Sequence, residues 1–168
     1  MTALRPHVAG RLDLFEACVV GDLDAVRRAF DGDPSLANAV ASDGFGPLGL
    51  ASFFDHEPVV RLLLEHGARV DAASANAMRI VPLHSAAAAR AVPITRLLLE
   101  HGAPVDATQG DGKFTPLMEA ATNGQAEMID LLLTHGADVR VCDAHGPSAA
   151  DHARASGHAS LAEYLSRC

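Results

Sequence analysis

Three stretches of the chain align with one another: GPLGLASFFDHEPVVRLLLEHGARVDA (46–72), VPLHSAAAARAVPITRLLLEHGAPVDA (81–107) and TPLMEAATNGQAEMIDLLLTHGADVRV (115–141). Pro47, Pro82 and Pro116 are spaced 35 and 34 residues apart, and the leucine triplets beginning at Leu62, Leu97 and Leu131 keep the same steps. A repeat at this period constrains the fold more than any local feature, because each unit is too small to bury its own apolar face and must stack on the next. Weaker copies flank the three, over 12–30 and 148–165, where Gly21 and Gly157 take the place of Gly124. The array has about five units.

Within a unit the pattern predicts a hairpin-like tip followed by two short helices. Pro47, Pro82 and Pro116 suit a first helical turn, where the missing N–H would be an orphan anyway, and Thr115 is placed to cap. Gly21, Gly124 and Gly157 stop that first helix about eight residues on, and Pro58 and Pro93 open a second one. Val59, Val60, Leu62 and Leu63, with Ile94, Leu97 and Leu98 and with Met128, Ile129, Leu131 and Leu132, give apolar contacts at helical spacing. Gly67, Gly102 and Gly136 end the second helix as left-handed caps. Ala51, Ala86, Ala87, Ala120 and Ala121 allow close approach along the first helices. The fold class is all-α, a short solenoid.

Here the sequence resembles the ankyrin repeat family, of bacterial type. The period is close to that family's, and Val81-Pro82-Leu83-His84-Ser85-Ala86 nearly reproduces its T-P-L-H-x-A signature. Leu62–Ala68 and Leu97–Ala103, both Leu-Leu-Leu-Glu-His-Gly-Ala, and Gly136-Ala137-Asp138-Val139 are similar to its second helix and exit. The resemblance implies tips projecting from one side and first helices lining a concave face. The expected layout is a mobile leader over 1–11 and one repeat domain over 12–168. That domain divides into an N-terminal capping unit 12–43, units 44–78, 79–112 and 113–145, and a C-terminal capping unit 146–168. Some positions depart from the pattern. Gly49 stands where His84 does, Asp55 and Arg90 replace the glycine between helices, and Arg79 and Lys113 replace the tip glycine. A positive φ costs a non-glycine residue about 1 kcal/mol or more, so these two tips are expected to be reshaped.

Charge and cysteine content narrow the function. A formal charge of −8 over 168 residues opposes binding to phosphate backbones and anionic lipid, so neither nucleic acid nor a membrane is an expected partner. Cys18, Cys142 and Cys168 are an odd, scattered set without zinc or redox spacing, which fits a reducing cytoplasm. Cys18 aligns with Ala121 and is expected in the core, whereas Cys168 is a candidate reactive thiol. Of nine histidines, His66, His101 and His135 recur once per unit at a helix C-terminus, a structural placement. His145, His152 and His158 gather near Asp143 and Asp151 in the last unit without a ligand motif; a His-dependent metal site or hydrolase there is the rival reading. No G-x-S-x-G, phosphate loop or dinucleotide motif is present. No cofactor, metal or enzymatic activity is expected.

What remains is a set of apolar residues that the resemblance places at variable, partner-facing positions. Phe45, Ile80 and Phe114 lie two residues before the prolines, and Phe53 and Phe54 six and seven residues after Pro47. Grouped aromatics on an exposed face make binding hot spots. In the competing arrangement, Phe53 or Phe54 packs between units and the tip phenylalanines cover neighbouring hairpins. The expected function is a non-catalytic module, a monomer or weak homodimer, that binds a protein partner. Phe45, Phe53, Phe54, Ile80 and Phe114 would be its anchors and Arg79, Lys113, Asp43 and Asp111 its polar selectors. A structural homodimer through the same face is a further alternative.

Overall fold

The computed structural model describes residues 13–168, and the expected leader at 1–11 lies outside the described residues. Ten helices occur among them, in five consecutive pairs: α1 (Leu14–Val20) with α2 (Leu23–Gly32), α3 (Pro47–Phe53) with α4 (Glu57–Glu65), α5 (Pro82–Ala88) with α6 (Val92–Glu100), α7 (Pro116–Thr122) with α8 (Ala126–Thr134), and α9 (Ala149–Ala155) with α10 (Ala159–Leu165). A short 3-10 helix, Pro34–Asn38, follows α2. The first helices stack as one layer, α1 on α3 on α5 on α7 on α9, and α2, α4, α6 and α8 stack as a second. The core runs between the layers without a break, from Leu14 and Val26 through Leu63, Leu83, Ile94, Leu98, Leu117, Ile129 and Leu132 to Leu165.

The punctuation residues act as their chemistry dictates. Pro47, Pro82 and Pro116 open α3, α5 and α7 and are buried, and the Thr115 hydroxyl accepts the Met118 N–H at 3.3 Å. Gly67, Gly102 and Gly136 leave the second helices at φ +78°, +83° and +89°. Just before them the Nδ1–H groups of His66, His101 and His135 donate to the Leu62, Leu97 and Leu131 carbonyls at 2.8, 2.8 and 2.9 Å, so each recurrent histidine caps its own last turn. In the first unit Arg28 is exposed but Phe30 is buried and stacks on His66, with ring centroids 4.4 Å apart. That stack joins the first two units along the second-helix layer.

Two tips depart from the glycine pattern in length and keep it in conformation. Arg79 and Lys113 adopt φ of 47° and 52°, in the left-handed region that Gly44 and Gly146 occupy at the same place in their units. Both keep the left-handed conformation with a charged side chain in it, at a local cost of about 1–2 kcal/mol each, but the loop around it is longer: the closing bonds run from Ser74 to Ile80 and from Gln109 to Phe114, against Ala41 to Phe45 and Asp143 to Pro147 in the glycine tips. Asp55 and Arg90 take the same conformation between the helices, at 59° and 61°. The hydrogen bonds that close the tips offset this cost, Ser74 N–H to Ile80 O at 2.8 Å and Gln109 N–H to Phe114 O at 3.0 Å. Neighbouring tips are joined through Ala75 N–H to Gly44 O and Ala144 N–H to Gly112 O, both 2.8 Å.

Candidate functional site

The end of α3 carries two phenylalanines that the fold cannot bury. Phe53 closes the helix and Phe54 follows it as the cap, 52% and 43% exposed, with their rings edge to face at 5.3 Å. At the same place in the next unit stand Ala88 and Ala89, so a bulky ledge faces a low one. Phe45 rises from the tip before α3, and Met78, 51% exposed, and Ile80 rise from the tip before α5. Gly49, Ser85 and Ala88 keep the floor low between them. The result is an apolar groove of about 440 Å³, reaching Asp43 on one side and Gln109 and Glu119 on the other.

Its charges are of one sign. Asp43 Oδ1 accepts the Phe45 N–H at 3.0 Å and Glu119 Oε1 accepts Asn123 Nδ2–H at 2.7 Å, which orients both carboxylates. Among the described residues neither has a cationic partner. His84, buried beside the groove, is held below its ordinary pKa by desolvation, although its bond to Phe114 opposes this. It is therefore neutral at physiological pH. Its Nε2–H donates to Phe114 O at 2.9 Å and its Nδ1 has no partner.

Of the residues singled out from sequence, Asp43, Phe45, Phe53, Phe54 and Ile80 line this groove together. Arg79, Asp111 and Lys113 are exposed on the tips outside the lining. Phe114, expected to be free, is half-buried: it packs on the core and meets the His152 ring edge to face at 4.9 Å. Met78 was not anticipated; its one signal is its place in a tip one residue longer than the next, 11 residues from Asp71 to Pro82 against 10 from Asp106 to Pro116, directly before the left-handed Arg79.

The histidines of the last unit have separate tasks. His152 Nε2 pairs with Asp143 Oδ2 at 2.9 Å, while Asp151 forms a capping box with Ser148 and an ion pair with Arg154. The His158 ring covers Gly124. Among the described residues no group of three or more His, Cys, Asp or Glu is placed to hold a metal ion. Burial, helped by Asp13, pushes the Cys18 thiol up to about 12, which withholds it from thiolate chemistry. Cys168 is exposed, its Sγ 3.4 Å from the Tyr164 carbonyl. No helix among the described residues is long and apolar enough to cross a membrane.

Comparison with known proteins agrees with this architecture. A family profile described as ankyrin repeats (3 copies) matches residues 14–109, more than half of the chain, and one described as ankyrin repeats (many copies) matches 98–153. The chain is 30% identical over 154 residues to the mouse "Ankyrin repeat and SAM domain-containing protein 6", covering 90% of this chain and 14% of that protein. It is 46% identical over 57 residues to "BTB/POZ domain-containing protein 3" of Schizosaccharomyces pombe, and 47% identical over 51 residues to "ARF GTPase-activating protein Git" of Drosophila melanogaster. These shorter matches cover 34% and 30% of this chain and 11% and 7% of those proteins. The chain thus spans a small part of each relative, and the shared part is the repeat array. Ankyrin repeats are generally protein–protein interaction modules and typically non-enzymatic. With five stacked helix pairs, left-handed glycine exits and matches along nearly its whole described length, the chain belongs to the ankyrin repeat family.

Proposed function

We propose that this protein is a non-catalytic binding module that holds a protein partner on its hairpin tips and the ends of its first helices. One observation carries the reading: of the six large apolar residues exposed among the described residues, Phe53, Phe54 and Met78 share one groove. Scattered apolar residues need no explanation, but a contiguous set rimmed by polar groups marks an interaction surface. Aromatic and methionine side chains are what interface centres are built from. Phe45 and Ile80 extend the apolar surface, Asp43 is its selector within the lining, and Arg79, Asp111 and Lys113 are selectors on the exposed tips beyond it. Phe114 belongs to the set only through its exposed edge. The three free cysteines suit a cytoplasmic setting.

A photo-crosslinking residue at position 53 or 54, compared with one at Arg96 on α6, tests the assignment in cells of the source organism. Defined adducts from 53 and 54 but not from 96 are the expected result. Equal adducts from all three, or none from the groove, would remove the assignment. Adducts of the chain with itself would replace a foreign partner with a second copy.

A further inference from the structure

We propose that the groove selects a protein segment that combines apolar side chains with a basic residue, received by Asp43 and Glu119. This rests on the reading of the groove as the binding face and adds the chemistry of its occupant. The groove spans three first helices, α3, α5 and α7. Asp43 comes from the tip before α3 and Glu119 from α7, with α5 between them. Two helix-to-helix steps of about 8–10 Å each make roughly 20 Å, a length covered by about six residues of extended chain. An occupant of that length crosses Phe53, Phe54, Met78 and Ile80 and meets a carboxylate at either end.

Each carboxylate is fixed by an internal donor, the Phe45 N–H for Asp43 and the Asn123 amide for Glu119, and each has acceptor capacity to spare. A partner that covers them without a cation leaves two desolvated charges unpaired, and an acidic partner adds repulsion. A Lys or Arg in the segment removes both penalties and forms charge-assisted bonds. His84, the other titratable group in the lining, is neutral and offsets neither carboxylate. Arg79 and Lys113 project from the tips outside the lining. The chain's net charge of −8 draws a basic segment in during encounter.

The test uses the full chain and three fluorescein-labelled peptides of one length, each with Leu and Phe on one face and with Lys, Gln or Glu at the remaining positions, titrated by anisotropy. The Lys peptide should bind about tenfold more tightly than the Gln peptide, and the Glu peptide most weakly. Asp43→Asn with Glu119→Gln should abolish that preference, whereas Asp24→Asn with Glu127→Gln, two exposed acids of the second helices, should preserve it. Circular dichroism melts establish that each variant is folded. Equal binding of the Lys and Gln peptides, both lost in Phe53→Ser/Phe54→Ser, would overturn the basic-residue proposal while leaving the groove as the binding face. Unchanged Lys-peptide binding in that double serine variant would overturn both. A loss in the outer double variant as large as in the groove variant would reduce the effect to net charge and overturn the proposal.

Discussion

Phe45 and Phe114 hold the same position in their units, two residues before a buried proline, and their surroundings differ. Phe45 opens on the groove. Phe114 is closed in from both sides: His84 of the unit before it donates to its carbonyl, and His152 of the unit after it lies against its ring. Counting from the start of each first helix, the residue equivalent to His152 is Ser85 next to the Phe45 tip and Glu119 next to the Ile80 tip. Neither supplies a ring. The residue equivalent to His84 in α3 is Gly49, so the Ile80 tip receives no imidazole bond. Identical positions in a repeat thus acquire opposite roles from what the adjacent units present. Both rings are half-buried, and the histidine contacts are what sets the Phe114 tip apart from the Phe45 tip.

The largest test of that contrast is stability. Phe114→Ala should cost about 2–3 kcal/mol, below the range for a fully buried phenylalanine because the ring is half-covered, and Phe45→Ala, equally half-covered but without the His152 ring and the core packing, about 1–2 kcal/mol. Urea melts of the two variants measure this directly. Equal losses would show that the neighbouring histidines do not distinguish the tips. A second variant acts on the fastening itself. Val81 occupies the cap position that Thr115 holds one unit later, and behind it His84 Nδ1 is buried without a partner. Val81→Thr offers a hydroxyl to Nδ1, and should raise stability by about 1 kcal/mol. A loss would mean that the valine methyls matter more than the hydroxyl.

The smallest effect concerns the cover over Phe114. Burial alone would raise the Asp143 carboxyl. The His145 N–H at 2.8 Å and the His152 imidazole at 2.9 Å outweigh it and hold the carboxyl below its ordinary value. A carboxyl lowered in the folded state stabilises it fully above the unfolded value, about 3.9, and loses that contribution as pH falls through the folded one. The last unit should weaken below about pH 4, and Asp143→Asn should flatten that decline. Tyr164, the chain's one tyrosine, sits on α10 and bonds Asp130 of α8 in a protein without tryptophan, so its fluorescence reads the last unit and its seam with α8. An unchanged slope would detach Asp143 from the effect.

Much of the fold was legible because the residues that repeat are those with local conformational meaning. Pro47, Pro82 and Pro116 start helices and Gly67, Gly102 and Gly136 end them wherever they occur. The candidate groove was legible in part, since Phe45, Phe53, Phe54 and Ile80 could be placed by offset from a proline. Met78 and the cover on Phe114 could not, because both depend on contacts between units that no single unit encodes. The same holds for Phe30, whose stack on His66 joins two units. At Arg79 and Lys113 propensity argued against a left-handed residue, and the hydrogen bonds closing the longer tips hold one there all the same.

The covered glycines carry a consequence for how such a sequence can change. A Cβ on Gly21 would lie 2.6 Å from the His56 ring, and one on Gly124 2.5 Å from His158. In each pair the histidine belongs to the following unit and precedes its second helix. Where Asp55 and Arg90 replace the glycine, Ala91 and Gln125 replace the histidine, and Gln125 instead bonds the Ala87 carbonyl at 2.9 Å. The four seams thus come in two kinds, glycine facing imidazole and side chain facing none. Either partner altered alone leaves a clash or a gap, so these positions should be inherited as pairs. A lineage that loses the glycine of one unit is expected to carry a change at the start of the next unit's second helix.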